Sequence, residues 1–238
     1  MKPMENRIIP IDLGGVNSYL VEAEQGFVLV DTGGHLVLDR TFDNRRQRLL
    51  DALETHGCTP GRLLLILLTH GDNDHAANAA YLRQTFQAPI ALHPADLPLV
   101  TNPDLPLLMA SFRYRSPILR IIFRLMKSKI TLVTRKTLED FEGFQPDLLL
   151  EDGMDVSSYG INARVVSLPG HTPGSVGLLF QDGSLLSGDT LVNNKKPAGA
   201  PNAADFKALS QSITLLKGMN IQTVYPGHGT SFRFQELS

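Results

Sequence analysis

Short apolar runs separated by turns rich in Gly, Asn and Asp divide this chain into segments of strand length. Residues 7–31 are predicted to form strands joined by hairpins, because apolar runs alternate there with Gly-containing turns. Further strands are predicted at 63–68, 89–93, 163–168, 176–180, 184–186 and 223–225. Asp182-Gly183 joins two of these runs and is typical of a tight hairpin turn.

Apolar residues at helical spacing lie between the predicted strands. The first helix is predicted from five apolar positions that recur between charged ones, namely Leu38, Phe42, Leu49, Leu50 and Leu53. Gly57 and Pro60 give the stop signal of this helix. Two more helices are predicted at 76–86 and 204–216 from their content of helix-forming residues. Alternation of strands and helices indicates an α/β protein.

Seven imidazole and carboxylate side chains lie in four loops, each of which follows an apolar run. They are His70, Asp72, Asp74 and His75 within six residues, and His171, Asp189 and His228 in separate Gly-containing turns. A loop at the end of a buried strand lies at the rim of a sheet, where a substrate can reach it. Imidazole nitrogen and carboxylate oxygen are the usual ligands of zinc, iron and manganese. Seven such ligands suffice for two metal ions.

This order, a His-x-Asp-x-Asp-His run followed by His, Asp and His in separate loops, resembles the metallo-β-lactamase superfamily of hydrolases, whose pattern begins with His-x-His-x-Asp-His. Residues 17–21 with 28–33, and the ending at 226–229, are similar to the first hairpin and the last loop of that family. The resemblance implies an α/β fold, an αββα sandwich of two mixed β-sheets flanked by helices, as a single domain over residues 1–238. Asp72 departs from the family pattern, which usually has a second His there.

The resemblance also implies a role for each ligand. The first metal site would take His70, Asp72 and His171, the second would take Asp74, His75 and His228, and Asp189 would bridge them. Two Zn²⁺ ions are expected, with iron or manganese as alternatives because Asp72 makes the first site richer in oxygen. Asp74 is the expected catalytic residue, which orients a hydroxide held by the metals. Asp31 is expected to support a ligand loop by hydrogen bonding.

Two readings of Asp72 and of its neighbour Asp74 stay open. Either carboxylate is of a type that caps a following helix, and Asp72 has a shorter reach than the His it replaces. If Asp72 cannot reach, the protein would hold only one tight metal ion, in the second site. We favour Asp72 as a ligand or near-ligand.

The function implied by the resemblance is hydrolysis of an ester, lactone or thioester of a small molecule. Asp189 stands where some β-lactamases of the superfamily have a Cys ligand, which argues against antibiotic hydrolysis as the main activity. Glyoxalase II is disfavoured because its glutathione-binding helical domain follows the last His, whereas only ten residues follow His228 here. An iron-dependent redox enzyme acting on oxygen or nitric oxide, and a non-catalytic metal-binding homologue, remain as alternatives.

Residues 95–147 lack the regularly spaced turn residues that separate strands elsewhere, and they are apolar and basic. We interpret them as a helical insertion. Arg interrupts this insertion too often for it to span a bilayer. A membrane-surface helix, a dimer contact and a lid over the substrate are its three possible uses. A lid or pocket wall is favoured, because the insertion lies between the first and second ligand loops. Residues 193–202 are expected to be irregular and partly basic.

The composition limits which classes of partner and which cellular location are expected. The formal net charge of −2 and the pI of about 6.4 give no electrostatic reason to expect nucleic acid. No apolar run reaches the roughly 18–20 residues that a membrane span needs, so stable membrane insertion is not expected. Because Cys58 is the only cysteine, no intrachain disulfide forms, and a cytoplasmic location is expected. The expected partner is a small-molecule substrate, and the chain is expected to be a monomer or homodimer.

The remaining His residues and the cysteine have ordinary expected roles. His35 either lines the cleft or, as we favour, is a solvated loop residue. His56 is expected to lie at a helix end near the negative pole of the helix dipole. His93 is expected at the edge of the core, at the end of a strand. Cys58 is expected to be unreactive.

Overall fold

The computed structural model describes residues 6–37, 39, 41–110 and 112–237. Its first sheet contains six strands: β1 (Ile8–Asp12), β2 (Asn17–Ala23), β3 (Gly26–Val30), β4 (Leu63–Leu67), β5 (Ile90–Leu92) and β6 (Leu148–Leu149). They follow one another in chain order across the sheet. The first three are antiparallel, and β3 to β6 are parallel, so the sheet is mixed.

The second half of the chain forms a five-stranded sheet and a small hairpin. Its strands are β7 (Ala163–Ser167), β8 (Val176–Phe180), β9 (Ser184–Gly188), β10 (Leu191–Val192), β11 (Ala198–Gly199), β12 (Thr223–Pro226) and β13 (Phe232–Arg233). The sheet order is β13-β12-β9-β8-β7, and β10 pairs with β11. Only the β12–β9 pair is parallel, so this sheet is also mixed.

Seven α-helices complete the described part of the chain. They are α1 (Arg46–Thr55), α2 (Asn73–Ala76), α3 (Ala79–Phe86), α4 (Leu97–Thr101), α5 (Leu105–Ala110), α6 (Pro117–Asp140) and α7 (Phe206–Lys217). Three of them, α4 to α6, lie in the predicted helical insertion. Within the described ranges no helix has the length and apolar character needed to cross a membrane.

Alternate residues of a strand point to opposite faces of the sheet. One apolar face of each sheet therefore packs against the other sheet, and the opposite face packs against helices. Val28 and Val30 of β3 belong to the core that also contains Val165 of β7 and Leu178 of β8. Leu29, between the two valines, points into a second core that contains residues of α1 and α3. A third core joins the outer face of the second sheet to α7. The predicted αββα sandwich of two mixed sheets is confirmed.

Two predicted helices differ from the structure in their bounds. Phe42 is half exposed and precedes α1, which begins only at residue 46, while Leu38 lies outside the described residues. Tertiary contacts of Arg45 explain the late start of α1. The buried Arg45 adopts a left-handed backbone (φ 62°), and its guanidinium donates to the carbonyls of Gly34 and Asp43. The helix predicted at 76–86 begins only at residue 79, as α3, and the separate short helix α2 ends at residue 76.

The other differences between the predicted and the observed elements concern short strands. The two-residue strands β6, β10, β11 and β13 were not predicted, because two residues are too few to show a period. The expectation that residues 193–202 are irregular was wrong in part, since β11 pairs there with β10.

Candidate metal centre

The seven candidate ligands meet at one edge of the sandwich. Each follows the carboxyl end of a strand: the 70–75 run follows β4, His171 follows β7, Asp189 follows β9 and His228 follows β12. The carboxyl ends of β7, β9 and β12 share one edge because β8 is antiparallel to both β7 and β9, whereas β12 is parallel to β9. The helix α2 then begins at Asn73, which places Asp74 and His75 on a stiff helical turn.

The first group of side chains is His70, Asp72 and His171, whose potential ligand atoms lie within 4.8 Å of one another. Asp72 Oδ2 lies 3.2 Å from His171 Nε2 and 4.0 Å from His70 Nε2. Asp72 occupies the N-cap position of α2, but its side chain accepts no capping hydrogen bond. The short carboxylate therefore reaches the two imidazoles and points away from the helix end.

The second group is Asp74, His75 and His228, with ligand atoms equally close. Asp74 Oδ2 lies 3.4 Å from His228 Nε2 and 4.0 Å from His75 Nε2. Asp189 lies between the two groups: its Oδ1 is 3.3 Å from His75 Nε2. Its Oδ2 is 3.1 Å from His228 Nε2 and 3.6 Å from His171 Nε2. The structure thus brings all seven predicted residues together.

Two buried atoms in this cluster test whether a cation fits. His70 Nε2 has no hydrogen-bond partner among the described residues, and its side chain is fully buried. Asp189 Oδ1 is also buried without a hydrogen bond of acceptable geometry. An unpaired buried polar atom costs about 1–3 kcal/mol, which a bound cation would offset. Burial, with His75 and His171 nearby, lowers the pKa of His70, so its imidazole is neutral and able to donate a lone pair.

The charges in the cluster balance one another. Burial alone would lower the pKa of His171, but its hydrogen bond to Asp72 and the charge of Asp189 raise it to about 9. Burial would likewise raise the pKa of Asp74, but His75 and His228 lower it to about 2. His171 thus holds a proton at neutral pH while Asp74 is ionised. A cation binding here replaces that proton, so its affinity falls as the pH falls.

Asp31 supports the cluster from behind. Its Oδ2 lies 2.9 Å from His75 Nδ1 and accepts a hydrogen bond of 2.8 Å from Thr69 Oγ1, while its Oδ1 accepts one of 2.8 Å from the Thr69 amide. Thr69 Oγ1 in turn lies 2.9 Å from His70 Nδ1. Although Asp31 forms a compact group with His70 and His75, these bonds occupy its oxygens. Its position agrees with the expected supporting role.

A close approach at Gly227 lets the last loop reach the centre. A Cβ atom on this residue would lie 2.1 Å from Asp189 Oδ1 and 2.8 Å from His75 Cε1. Any larger side chain would therefore displace two candidate ligands. The loop is also fixed from outside, because Asn17 Nδ2 donates to the carbonyls of Pro226 and Gly229.

Asp96 is a buried residue at the site that the sequence analysis missed. Its Oδ2 accepts hydrogen bonds from the Gly71 amide (2.9 Å) and from Thr172 Oγ1 (2.7 Å), and its Oδ1 accepts one from the Gly174 amide (2.7 Å). It thereby connects the loop of His70 to the loop of His171. No sequence signal marks it, because its three partners are distant along the chain.

A cavity of about 460 Å³ lies over the cluster. Asp72, Asp74 and His228 form its floor, while Leu108 of α5 and Thr134 of α6 belong to its wall. The insertion therefore contributes to the pocket wall, as the sequence analysis favoured. Among the described residues that line this cavity there is no Lys or Arg.

His35 is one of the lining residues, and the expectation that it is solvated was wrong. Its side chain is 4% exposed, its Nε2 lies 2.6 Å from Asp140 Oδ2, and its ring stacks on Phe42. The α6 helix supplies Asp140 from 105 residues away, a contact that local sequence does not reveal.

The other residues with ordinary roles lie outside the cluster. His56 caps the end of α1, as expected. His93 accepts a hydrogen bond from the Ala95 amide at the start of a 3₁₀ turn. Burial raises the pKa of the Cys58 thiol to about 12, which keeps it protonated and unreactive.

The family model of the metallo-β-lactamase superfamily matches residues 11–228, and the chain belongs to this superfamily. Its members are generally metal-dependent hydrolases, and they bind metal ions.

Individual relatives are distant from this chain. Metallo-beta-lactamase domain-containing protein 1 of Rattus norvegicus is 40% identical over 78 residues, which are 33% of this chain and 28% of that protein. The chain spans less than two thirds of the length of each of the three curated relatives it matches first.

Two solved structures have a similar fold. A metallo-beta-lactamase family protein of Thermus thermophilus superposes with a TM-score of 0.69 at 24% identity, covering 96% of this chain and 74% of that one. A protein described in a di-iron-bound form superposes with a TM-score of 0.60 at 28% identity, covering 95% of this chain and 94% of that one.

Proposed function

We propose that this protein is a metal-dependent hydrolase that cleaves an ester, lactone or thioester of a small, neutral and partly apolar molecule. The observation that supports the proposal best is the convergence of three carboxylates and four imidazoles, five of which line one cavity, with His70 Nε2 left unpaired among the described residues. Family membership supports the general class of reaction.

The donor set fits two divalent cations. His70, Asp72 and His171 would hold one, Asp74, His75 and His228 would hold the other, and Asp189 would contact both. When bound, such cations polarise a carbonyl group and lower the pKa of water from about 15.7 toward 7. Asp31 and Thr69 keep the imidazoles of His75 and His70 in place for this purpose.

Asp74 is the proposed catalytic residue of this chain. Its carboxylate lines the cavity and stays ionised at neutral pH, so it accepts a hydrogen bond from the attacking water and directs a lone pair of that water toward the substrate carbonyl. As the new C–O bond forms, the acyl C–O or C–S bond to the leaving group breaks, and the proton of the water passes to the leaving oxygen or sulfur. No Ser or Cys nucleophile is needed for this reaction.

The lining of the cavity supports a neutral substrate. The two proposed cations would be engaged with the reacting carbonyl, so a carboxylate or phosphate elsewhere on the substrate would need a Lys or Arg as its partner, and none of the described lining residues is Lys or Arg. Apolar surface comes from Leu36, Leu108 and Phe112. A volume of about 460 Å³ is in the range of small-molecule sites.

The test is metal analysis of protein purified without added metal, followed by assays on paired substrates. Each pair is a neutral ester, lactone or thioester and the same molecule with a carboxylate on its acyl chain. We expect a transition metal to copurify and the neutral member to have the higher kcat/KM. Protein that carries no such metal and cleaves none of the substrates would refute the proposal.

Zinc is the proposed metal, and iron is the second candidate. The di-iron-bound relative and the oxygen-rich first group both favour iron. If iron copurifies and the protein consumes oxygen while cleaving no substrate, the redox alternative replaces hydrolysis. We also propose a cytoplasmic location and no nucleic-acid partner, supported by the single cysteine and the net charge of −2.

Replacing Asp72 with His should increase the zinc content of the protein. The substitution gives the first site three imidazoles, which bind zinc better than a set with one short carboxylate. We expect more zinc per chain after dialysis against a weak chelator, measured by elemental analysis. Asp51→His on the exposed side of α1 is the matched control and should change nothing. Unchanged zinc content in Asp72→His would show that Asp72 does not belong to the first site.

A further inference from the structure

Helix α6 exposes a row of large apolar side chains to solvent. This apolar stripe is formed by Ile118, Ile121, Ile122, Leu125 and Leu132, whose exposed fractions range from 44% to 81%. The spacing of three, four and seven residues aligns them along one face of the helix. The four residues from Ile118 to Leu125 adjoin one another on the helix surface, and an exposed apolar patch of this kind marks a site of contact with another molecule or a membrane.

The same part of the chain concentrates positive charge. Residues 105–138 contain eight of the 22 Lys and Arg residues of the protein and none of its 24 Asp and Glu residues. All eight are exposed: Arg113, Arg115, Arg120, Arg124, Lys127, Lys129, Arg135 and Lys136. None of them forms an ion pair with a carboxylate in the described part of the chain. Glu139 and Asp140 follow only at the last turn of α6.

The opposite face of α6 is attached to the protein body. Ile130 and Thr137 are buried there, and Phe123 stacks on Phe112 at a ring-centre distance of 5.8 Å. Thr137 and Phe112 also line the cavity. The helix is therefore a fixed wall of the pocket, and its outer face presents the stripe to solvent.

We propose that the outer face of α6 docks on the surface of an anionic lipid membrane. A 24-residue helix that lies in the plane of the interface inserts its apolar side chains among the lipids, while flanking Lys and Arg contact the phosphates. A second copy of this chain fits the face less well, because pairing two such faces would bring sixteen positive charges together, about eight from each, without a counterion. This inference does not depend on the metal chemistry.

The test is sedimentation of the protein with lipid vesicles. We expect binding to vesicles of equal parts phosphatidylcholine and phosphatidylglycerol, and little binding to phosphatidylcholine alone. Raising the salt from about 50 mM to about 500 mM should release most of the protein, since the Debye length falls below the distance between surface charges. Ile121→Ser/Leu125→Ser and Arg124→Glu/Lys129→Glu should each reduce binding about tenfold or more.

Matched controls separate this face from the rest of the surface. Leu215→Ser removes an exposed leucine of α7, and Lys195→Glu/Lys196→Glu makes the same change of net charge on the loop between β10 and β11. Both controls should bind vesicles like the wild type. Absence of binding to anionic vesicles would overturn the proposal, and so would salt-independent binding to phosphatidylcholine. A dimer that Ile121→Ser/Leu125→Ser dissociates, without vesicle binding, would assign the face to a second copy instead.

Discussion

Replacing Asp74 with Asn should reduce kcat by about 10²–10⁴-fold on whichever substrate the wild type cleaves best. The amide keeps the size of the side chain and one oxygen, but it lacks the negative charge that a low pKa maintains in Asp74. It therefore cannot accept a hydrogen bond from water as strongly or hold water in the orientation for attack. The measurements are steady-state kinetics and elemental analysis on the same preparation.

The fold should survive this substitution, because Asp74 lines the cavity and is not part of the apolar cores. Circular dichroism, and the thermal midpoint measured on both proteins without metal, should match the wild type. Asp51→Asn on α1 controls for the loss of one negative charge and should keep full turnover. If Asp74→Asn retains its metal and most of its turnover, the proposed role of Asp74 is wrong.

Replacing Asp96 with Ala should lower the free energy of unfolding by about 3 kcal/mol or more. The buried Gly71 and Gly174 amides would each lose their acceptor, at a cost of about 1–3 kcal/mol each, and Thr172 Oγ1 would keep only its contact with Ser175 Oγ. The loops of His70 and His171 would also lose their connection, so the first metal site should weaken. Urea unfolding and metal titration measure the two effects.

Asp104→Ala is the matched control for this variant. Asp104 also accepts a backbone hydrogen bond, from the Leu107 amide at 2.8 Å, but it does so on the surface at the start of α5. Its loss should cost about 1 kcal/mol, as for an ordinary helix cap, and should leave metal binding intact. Equal losses of stability in both variants would mean that Asp96 is no more than a local turn residue.

The sequence predicted those parts of the structure that depend on local pattern. The strand before His70 was predicted because its apolar run is unbroken and ends in a polar loop. The four candidate ligands from His70 to His75 could be proposed because they lie within six residues. The three downstream ligands each lie in a short turn with Gly, and their order alone connects them to the first four.

The parts that were missed depend on contacts between distant residues. Asp96 binds partners 25, 76 and 78 residues away, and nothing in its local sequence shows that its side chain is buried. The late start of α1 follows from the tertiary contacts of Arg45 with Gly34. His35 was expected in solvent because its partner Asp140 comes from a helix whose position the sequence does not give.

The two sheets contribute separate shares of the metal centre. Four candidate ligands come from the loop after β4 in the first sheet, and His171, Asp189 and His228 come from the second. Any cation bound by ligands from both sheets acts as a crosslink between the two sheets. The unfolding free energy should then increase with free metal concentration, by about 2.7 kcal/mol at one hundred times the dissociation constant. Metal supply would therefore control how long the chain survives heat or proteolysis, in addition to how fast it turns over substrate.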